Sequence, residues 1–422
     1  MKITAIVLFA LTYLGLLVFQ KVRAYIALSS AAVFVILGIL PVGQVLGAVD
    51  WNVILMIAGT MGVVGFFIES KMPSLLADIL IEKMPNVKWA IISLALFAGI
   101  ISAFVDNVAT VLMVAPVALT IAKKLKISPV PSVIAIAISS NLQGAATLVG
   151  DTTSILLGGY AKMNFLDFFF LEGKIGIFWV VETGALVSTL MLFFIFRKEK
   201  LKIDAMERTK VEDFIPTVLL VGIVVLLICA SFIENKPHVT NGIICMSLFA
   251  IGLIRKMIKT RNAGAFIKSV KEIDFDTILL LTGLFVVIGG ITEAGIVKDI
   301  SQLFVNISND NVFFIYTLIV WASVLFSAFI DNIPYVATML PVTAEISKLL
   351  GIEPKLLFFG LLIGATLGGN ITPIGASANI TGLGILRREG YEVSAPTFMK
   401  ISVPFTLAAV VTGYLLNWFI WS

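Results

Sequence analysis

Two stretches decide how this chain folds: "SAFVDNVATVLMVAPV", Ser102 to Val117, and "SAFIDNIPYVATMLPV", Ser327 to Val342. Eight of the 16 aligned positions are identical, at a numbering offset of 225. Each stretch sets an Asp-Asn pair, Asp106-Asn107 or Asp331-Asn332, in an otherwise apolar run. The register extends to both sides. Asp50, Gly59 and Glu69 recur as Asp274, Gly283 and Glu293, at an offset of 224. Gly144, Thr147 and Gly150 recur as Gly369, Thr372 and Gly375, again at 225. Three blocks in register make an internal repeat. Its halves are residues 1–196 and 214–422, joined by a cytoplasmic charged linker at 197–213.

The surroundings of these stretches set the solvent. Of the 422 residues, 59% are hydrophobic and 13% charged, with a mean hydropathy of +1.06. Soluble domains carry about 25% charged residues. Apolar runs recur near the roughly 20 residues that cross a bilayer as a helix. The chain therefore reads as an all-α integral membrane protein. The first apolar run lacks a small-residue cleavage site and leads to Lys21 and Arg23, so it reads as the first span. Cys229 and Cys245 both sit in apolar runs and suggest neither a disulfide nor a metal pair. His238 reads as a solvated loop residue. There is no P-loop, no HExxH and no nucleophile–base arrangement. The expectation is a protein that is not an enzyme, binds no nucleic acid and needs no cofactor beyond a coupling Na+ or H+.

Parity and charge give the topology. If the two runs flanking each Asp-Asn pair form a re-entrant hairpin, each half has five crossings, and an odd number inverts the second half. With both termini outside, most of the 30 Lys and Arg residues fall on the cytoplasmic side, as the positive-inside rule requires. The expected fold is two inverted-topology repeats, each with five crossings, one re-entrant helical hairpin and one broken helix, in the plasma membrane. The breaks are "NLQGAATLVGDTTS" from Asn141 and "GGNITPIGASANIT" from Gly368. Pro373 removes a backbone donor there, and the glycines permit unusual angles.

Repeats with interrupted helices mark secondary transporters. Freed backbone groups survive at membrane depth only where they line a cavity or are buried in protein. A carboxylate there costs at least about 2.5 kcal/mol on insertion scales, which a proton or sodium ion offsets. The expected ion- or substrate-binding residues are Asp106, Asn107, Asp331, Asn332, Thr147, Gly150, Asp151, Asn370, Thr372, Gly375 and Asn379, with sodium at Asn107 and Asn332. Asp106 and Asp331 also suit helix N-caps, and capping is compatible with ion binding. Asp151 has no counterpart, since Ala376 lies opposite; a coupling role and a merely hydrogen-bonded one both fit. Glu182 reads as snorkelling or bundle-facing, and the Phe-rich stretch from Phe165 as a membrane-surface segment.

With the motifs "SAFVDNVATVLMVAP", "NLQGAATLVGDTTS", "SAFIDNIPYVATMLP" and "NITPIGASANITGLGIL", the chain resembles the ion transporter superfamily. It is nearest the branch of the arsenite-efflux permeases and the pink-eyed-dilution P protein. It is also similar to NhaD-type sodium/proton antiporters and, more distantly, to divalent anion–sodium symporters. The resemblance implies a scaffold part and a mobile part, a homodimer and an elevator-like motion. In the anion symporters the hairpin tips carry Ser-Asn-Thr. Here they read Asp106-Asn107-Val108 and Asp331-Asn332-Ile333, adding two negative charges and losing two hydroxyls. That favours coupling a proton or sodium ion to movement of a small inorganic solute, as an arsenite/antimonite permease or a sodium/proton antiporter does. The alternatives are a sodium-coupled di- or tricarboxylate transporter, transport of another anion, or a passive ion channel on the same scaffold.

Overall fold

A computed structural model of the chain describes residues 1–199, 201–202, 208–211, 213–261 and 264–422. Part of the charged linker, at 200, 203–207 and 212, lies outside them. In the first half the helices are α1 Lys2–Val18, α2 Arg23–Ile36, α3 Val45–Ala48, α4 Trp51–Glu69, α5 Met72–Glu82, α6 Val87–Ser102, α7 Asn107–Leu125, α8 Val130–Gln143, α9 Thr152–Tyr160 and α10 Ile177–Ile195. The second half holds α11 Ile215–Ser231, α12 Thr240–Thr260, α13 Gly264–Val270, α14 Phe275–Glu293, α15 Ile296–Ser308, α16 Val312–Ser327, α17 Asn332–Leu350, α18 Lys355–Leu362, α19 Ser377–Arg388 and α20 Ala395–Trp421. The strands among the described residues form one antiparallel pair, Phe170–Leu171 with Lys174–Ile175.

The repeated residues do the same local work in each half. Asp50 accepts a hydrogen bond from Val53 N to cap α4, and Asp274 accepts one from Thr277 N to cap α14. Such caps satisfy N–H groups that the first turn leaves free. A Cβ on Gly59 would stand 2.4 Å from the Cys245 backbone carbon; one on Gly283 would stand 2.6 Å from that of Ala27. Glycine therefore lets α4 close on α12 and α14 close on α2. It also aligns Ala27 with Cys245, carrying the repeat into α2 and α12 at an offset of 218.

The helices segregate into two bodies. α1, α2, α4, α11, α12 and α14 pack with one another. Helices α6 to α10 and α16 to α20 form the other, with α10 along α20 and α8 touching α6, α7, α19 and α20. α5 and α15 bridge the bodies. Six helices among the described residues, α4, α7, α10, α12, α14 and α20, are long and apolar enough to cross a membrane. The bent pairs α1–α2 (110°) and α15–α16 (119°) raise the count to eight. Length alone misses spans that are interrupted, because a break cuts one crossing into two short helices.

The described part of the linker is strapped to the protein: Glu199 O and Leu201 O accept from Lys88 N and Val87 N, and Thr209 donates to Asp78. In the Phe-rich stretch Phe165 and Phe168 are buried, while Phe170 is exposed. The chain turns back at Glu172-Gly173, both at positive φ, and brings Gly176 so close to Phe168 that a side chain there would strike Phe168 O at 2.3 Å.

Candidate functional site

Each hairpin tip is held by the break in its own half. Thr147 Oγ1 donates to Ala103 O in the last turn before the first tip, and Thr372 Oγ1 donates to Ala328 O before the second. A Cβ on Gly150 would lie 2.6–2.8 Å from Gly144 O, Ala103 O and Ser102 O; one on Gly375 would lie 2.6–2.8 Å from Gly369 O, Ser327 O and Ala328 O. Hairpin and break thus form one clamp, built twice. Asn379 belongs to the second clamp, with Nδ2 donating to Gly369 O and Thr372 O, both at 3.1 Å. The two clamps meet at Asn141. Its Nδ2 donates to Thr366 O (2.7 Å) and to Asn370 Oδ1 (3.0 Å), while its Oδ1 accepts from Asn107 Nδ2 (3.0 Å). Asn370 Nδ2 donates to Ile138 O at 2.8 Å. Paired in this way, buried amides avoid the cost of about 1–3 kcal/mol that each orphaned group would carry.

A cavity of about 180 Å³ lies against the tips. Its polar floor is Asp106, Asn107, Asp151, Thr152, Asn332 and Ser377. Four helices, α7, α9, α17 and α19, begin there. Asp106 Oδ1 accepts from Ala109 N (3.1 Å) and caps α7. Asp151 caps α9 through Thr152 N (2.7 Å), and its Oδ2 accepts from Thr153 Oγ1 (2.8 Å), which also meets Thr366 Oγ1 (2.9 Å). Asn332 is 4% exposed, and its amide nitrogen has no partner among the described residues. Among the described residues, no Lys or Arg lines this cavity. Four carboxylates therefore share a small space with amide and hydroxyl groups: Asp106 and Asp151 on the floor, Glu272 and Asp274 on the wall. Electrostatics there favour a bound proton or small cation.

Asp331 stands apart. It caps α17 through Ile333 N (3.2 Å), but its other oxygen pairs with Arg23 Nη1, while Arg23 Nε reaches Asp276 at 3.0 Å. The two tips are alike in sequence and unlike in charge. Of the residues singled out in the sequence, the structure brings Asp106, Asn107, Asp151 and Asn332 to the cavity. Gly150 lies beside it, while Thr147, Asn370, Thr372, Gly375 and Asn379 hold the two breaks in shape. Sequence reasoning missed Arg23, Asn141 and Thr366. Thr366 stands at the repeat offset of 225 from Asn141, but equivalence in the repeat does not by itself bring two residues together.

The walls of the cavity come from α4 and from α14 with the turn before it: Met61, Val64, Gly65 and Ile68 with Glu272, Asp274 and Thr277. A second cavity of about 930 Å³ is walled by Phe285, Ile288, Gly289 and Thr292 with Ala48, Asp50 and Val53. These are the same positions shifted by 224, so the C-terminal half of each helix meets the N-terminal end of the other, and α4 and α14 run in opposite directions. The second cavity contains neither tip; Ala337, Leu340, Pro341, Leu156, Gly159 and Tyr160 face it instead. His238, half exposed, also lines it and stands 3.8 Å from Asp50.

A family model described as "CitMHS: Citrate transporter" matches residues 7–364. A Mycobacterium bovis protein described as an uncharacterized transporter is 29% identical over 99% of this chain and 98% of its own length. The 46 kDa membrane protein of Mycobacterium leprae is likewise 29% identical, over 99% and 98%. The P protein of Mus musculus is 25% identical over 92% of this chain, which spans 56% of that longer protein. Among solved structures, the YdaH transporter of Alcanivorax borkumensis has a TM-score of 0.63 at 15% identity, over 89% of this chain and 86% of that one. MtrF of Neisseria gonorrhoeae, described among antimetabolite efflux pumps, has a TM-score of 0.55 at 14% identity, over 87% and 80%. At these identities the two structures speak for the fold alone.

Proposed function

The chain belongs to the CitMHS citrate transporter family, and from that premise we propose that it is a secondary active transporter whose coupling ion, a proton or sodium, sits between Asp106 and Asp151. The observation that carries this reading is the small cavity with Asp106 and Asp151 on its floor, Glu272 and Asp274 on its wall and, among the described residues, no lining Lys or Arg. Its solute is a small inorganic one, as in the arsenite permeases and sodium/proton antiporters. The chain works as a homodimer in the plasma membrane, with five crossings per half, inverted repeats and both termini outside.

The two cavities support an elevator-like cycle. The walls repeat at the offset of 224, but both tips lie at one wall. The residues of α17 and α9 facing the larger cavity sit five to nine positions beyond Asn332 and Asp151, a mean of about seven. At 1.5 Å per residue, exchanging the roles of the two walls moves the α6–α10 and α16–α20 body by roughly 10 Å. Each wall would then receive the tips in turn.

A second reading, uptake of a citrate-like anion, is favoured by the family's description and by the four helix N-termini at the cavity. Their partial positive charge attracts anions. Such an anion would share the cavity with the cations that neutralise Asp106 and Asp151. Fluxes in sealed proteoliposomes with imposed sodium, proton, arsenite and citrate gradients separate the readings. Uphill movement of one solute at a fixed ratio to an ion supports coupled transport. Downhill flux alone, with no counter-ion movement, would reject it in favour of a channel.

A further inference from the structure

Arg23 has no part in the transport reading above, yet it makes an ion pair between the two bodies. It opens α2, which packs along α14, and it pairs with Asp276 on α14. Its other partner, Asp331, belongs to the tip of the second hairpin, in the opposite body. The side chains of Arg23 and Asp331 are about one-fifth exposed, so water screens the pair less than it would a surface pair.

The counterpart trio in the other half is different. The offset of 224 places Asn52 opposite Asp276, and the offset of 218 places Asn241 opposite Arg23. Asn52 and Asn241 are both buried and neutral, and Asn52 Oδ1 accepts from Gly242 N at 2.8 Å. When the tips stand at the other wall, Asp106 would meet this neutral pair where Asp331 now meets a guanidinium. Among the described residues, the wall of the larger cavity also offers no Lys or Arg to Asp331.

We propose that Arg23 is a built-in counter-ion for the second tip, a positioning residue that latches the mobile body in the arrangement described here. The proposal rests on the elevator reading. While the latch is closed, Asp331 is closed to ions from solution, and the open cation site is the one at Asp106 and Asp151. Moving the tips requires the pair to break. The opposite arrangement has no matching ion pair, so the chain rests with the smaller cavity occupied by the tips.

The test is a distance measurement by pulsed electron resonance. Nitroxides go on cysteines introduced at Ile258 of α12 and Lys348 of α17, both exposed. Cys229 and Cys245 are replaced, and the sample is diluted with unlabelled chain to suppress distances between subunits. Without substrate, the parent chain gives one dominant distance. Arg23→Gln and Asp331→Asn each raise a second distance, with at least about a tenfold change in the ratio of the two populations, and Arg23→Lys stays close to the parent. Because either partner can be removed, a folding failure of one variant leaves the other as the test. If the parent shows two distances under an imposed ion gradient while both neutral variants keep its resting ratio, the latch is overturned and the elevator stands. If no variant or gradient yields a second distance, the elevator reading fails and the latch with it.

Discussion

Gly150 and Gly375 offer a sharp test of the clamp between break and hairpin. Replacing either with Ala puts a methyl group within 2.6–2.8 Å of three backbone carbonyl oxygens. None of the three is the loose end of a side chain. Ala103 O and Ala328 O are already fixed by the hydroxyls of Thr147 and Thr372. Relief needs a shift of the last turn of α6 or α16, and overpacking of this kind costs about 1–3 kcal/mol. Gly384, inside α19, has nothing within 4 Å of the position a methyl would take. There Ala gains roughly 0.5–1 kcal/mol from helix propensity. The three variants are purified in detergent, heated, and scored for the fraction that stays monodisperse. Gly150→Ala and Gly375→Ala lose their folded peak below the parent's midpoint, and Gly384→Ala at or above it. If Gly150→Ala and Gly375→Ala match the parent while Gly384→Ala does not exceed them, the carbonyls do not crowd these glycines and the clamp is wrong.

Three further outcomes follow from other contacts. Asn141→Leu strips partners from Asn107, Asn370 and Thr366 O at once; at about 1–3 kcal/mol per orphan, the same heating assay shows it among the least stable variants. Burial works against the Asp213 carboxylate, but Arg255 and Lys259 outweigh it and bring its pKa down to about 2. A lowered folded pKa gives stability that is present above the unfolded value near 3.9 and lost as pH falls through 2. Asp213→Ala therefore costs at most about 1 kcal/mol at neutral pH, and denaturant midpoints of parent and variant converge as pH falls from 4 to 2. A cysteine at exposed Lys298 reacts with an impermeant thiol reagent added outside cells, and one at exposed Lys202 does not; the reverse pattern overturns the assigned orientation.

The sequence showed the frame because repetition and apolar runs are local signals. The Asp-Asn pairs open α7 and α17, and the glycine-rich stretches interrupt the helices on either side of them, at the positions where the sequence places them. Three things were not legible. Arg23 meets Asp331 from the far end of the chain, and nothing local distinguishes it from an interfacial arginine at a span end. The convergence of Asn141, Thr366 and Asn370 depends on two breaks packing against each other, a tertiary fact. The asymmetry between the tips is hidden because Asp106 and Asp331 occupy equivalent positions, and their difference comes from neighbours in another body. Thr147 and Thr372 read as ion ligands because hydroxyls suit sodium, yet both donate to backbone carbonyls of the clamp.

The most direct test of the account is cation exchange by purified chain in sealed vesicles, comparing the parent with Asp106→Asn and Asp151→Asn under imposed sodium and proton gradients. Both variants should remain monodisperse and lose exchange at least about tenfold. Exchange at the parent's rate in both would contradict the assignment of the coupling ion to this cavity.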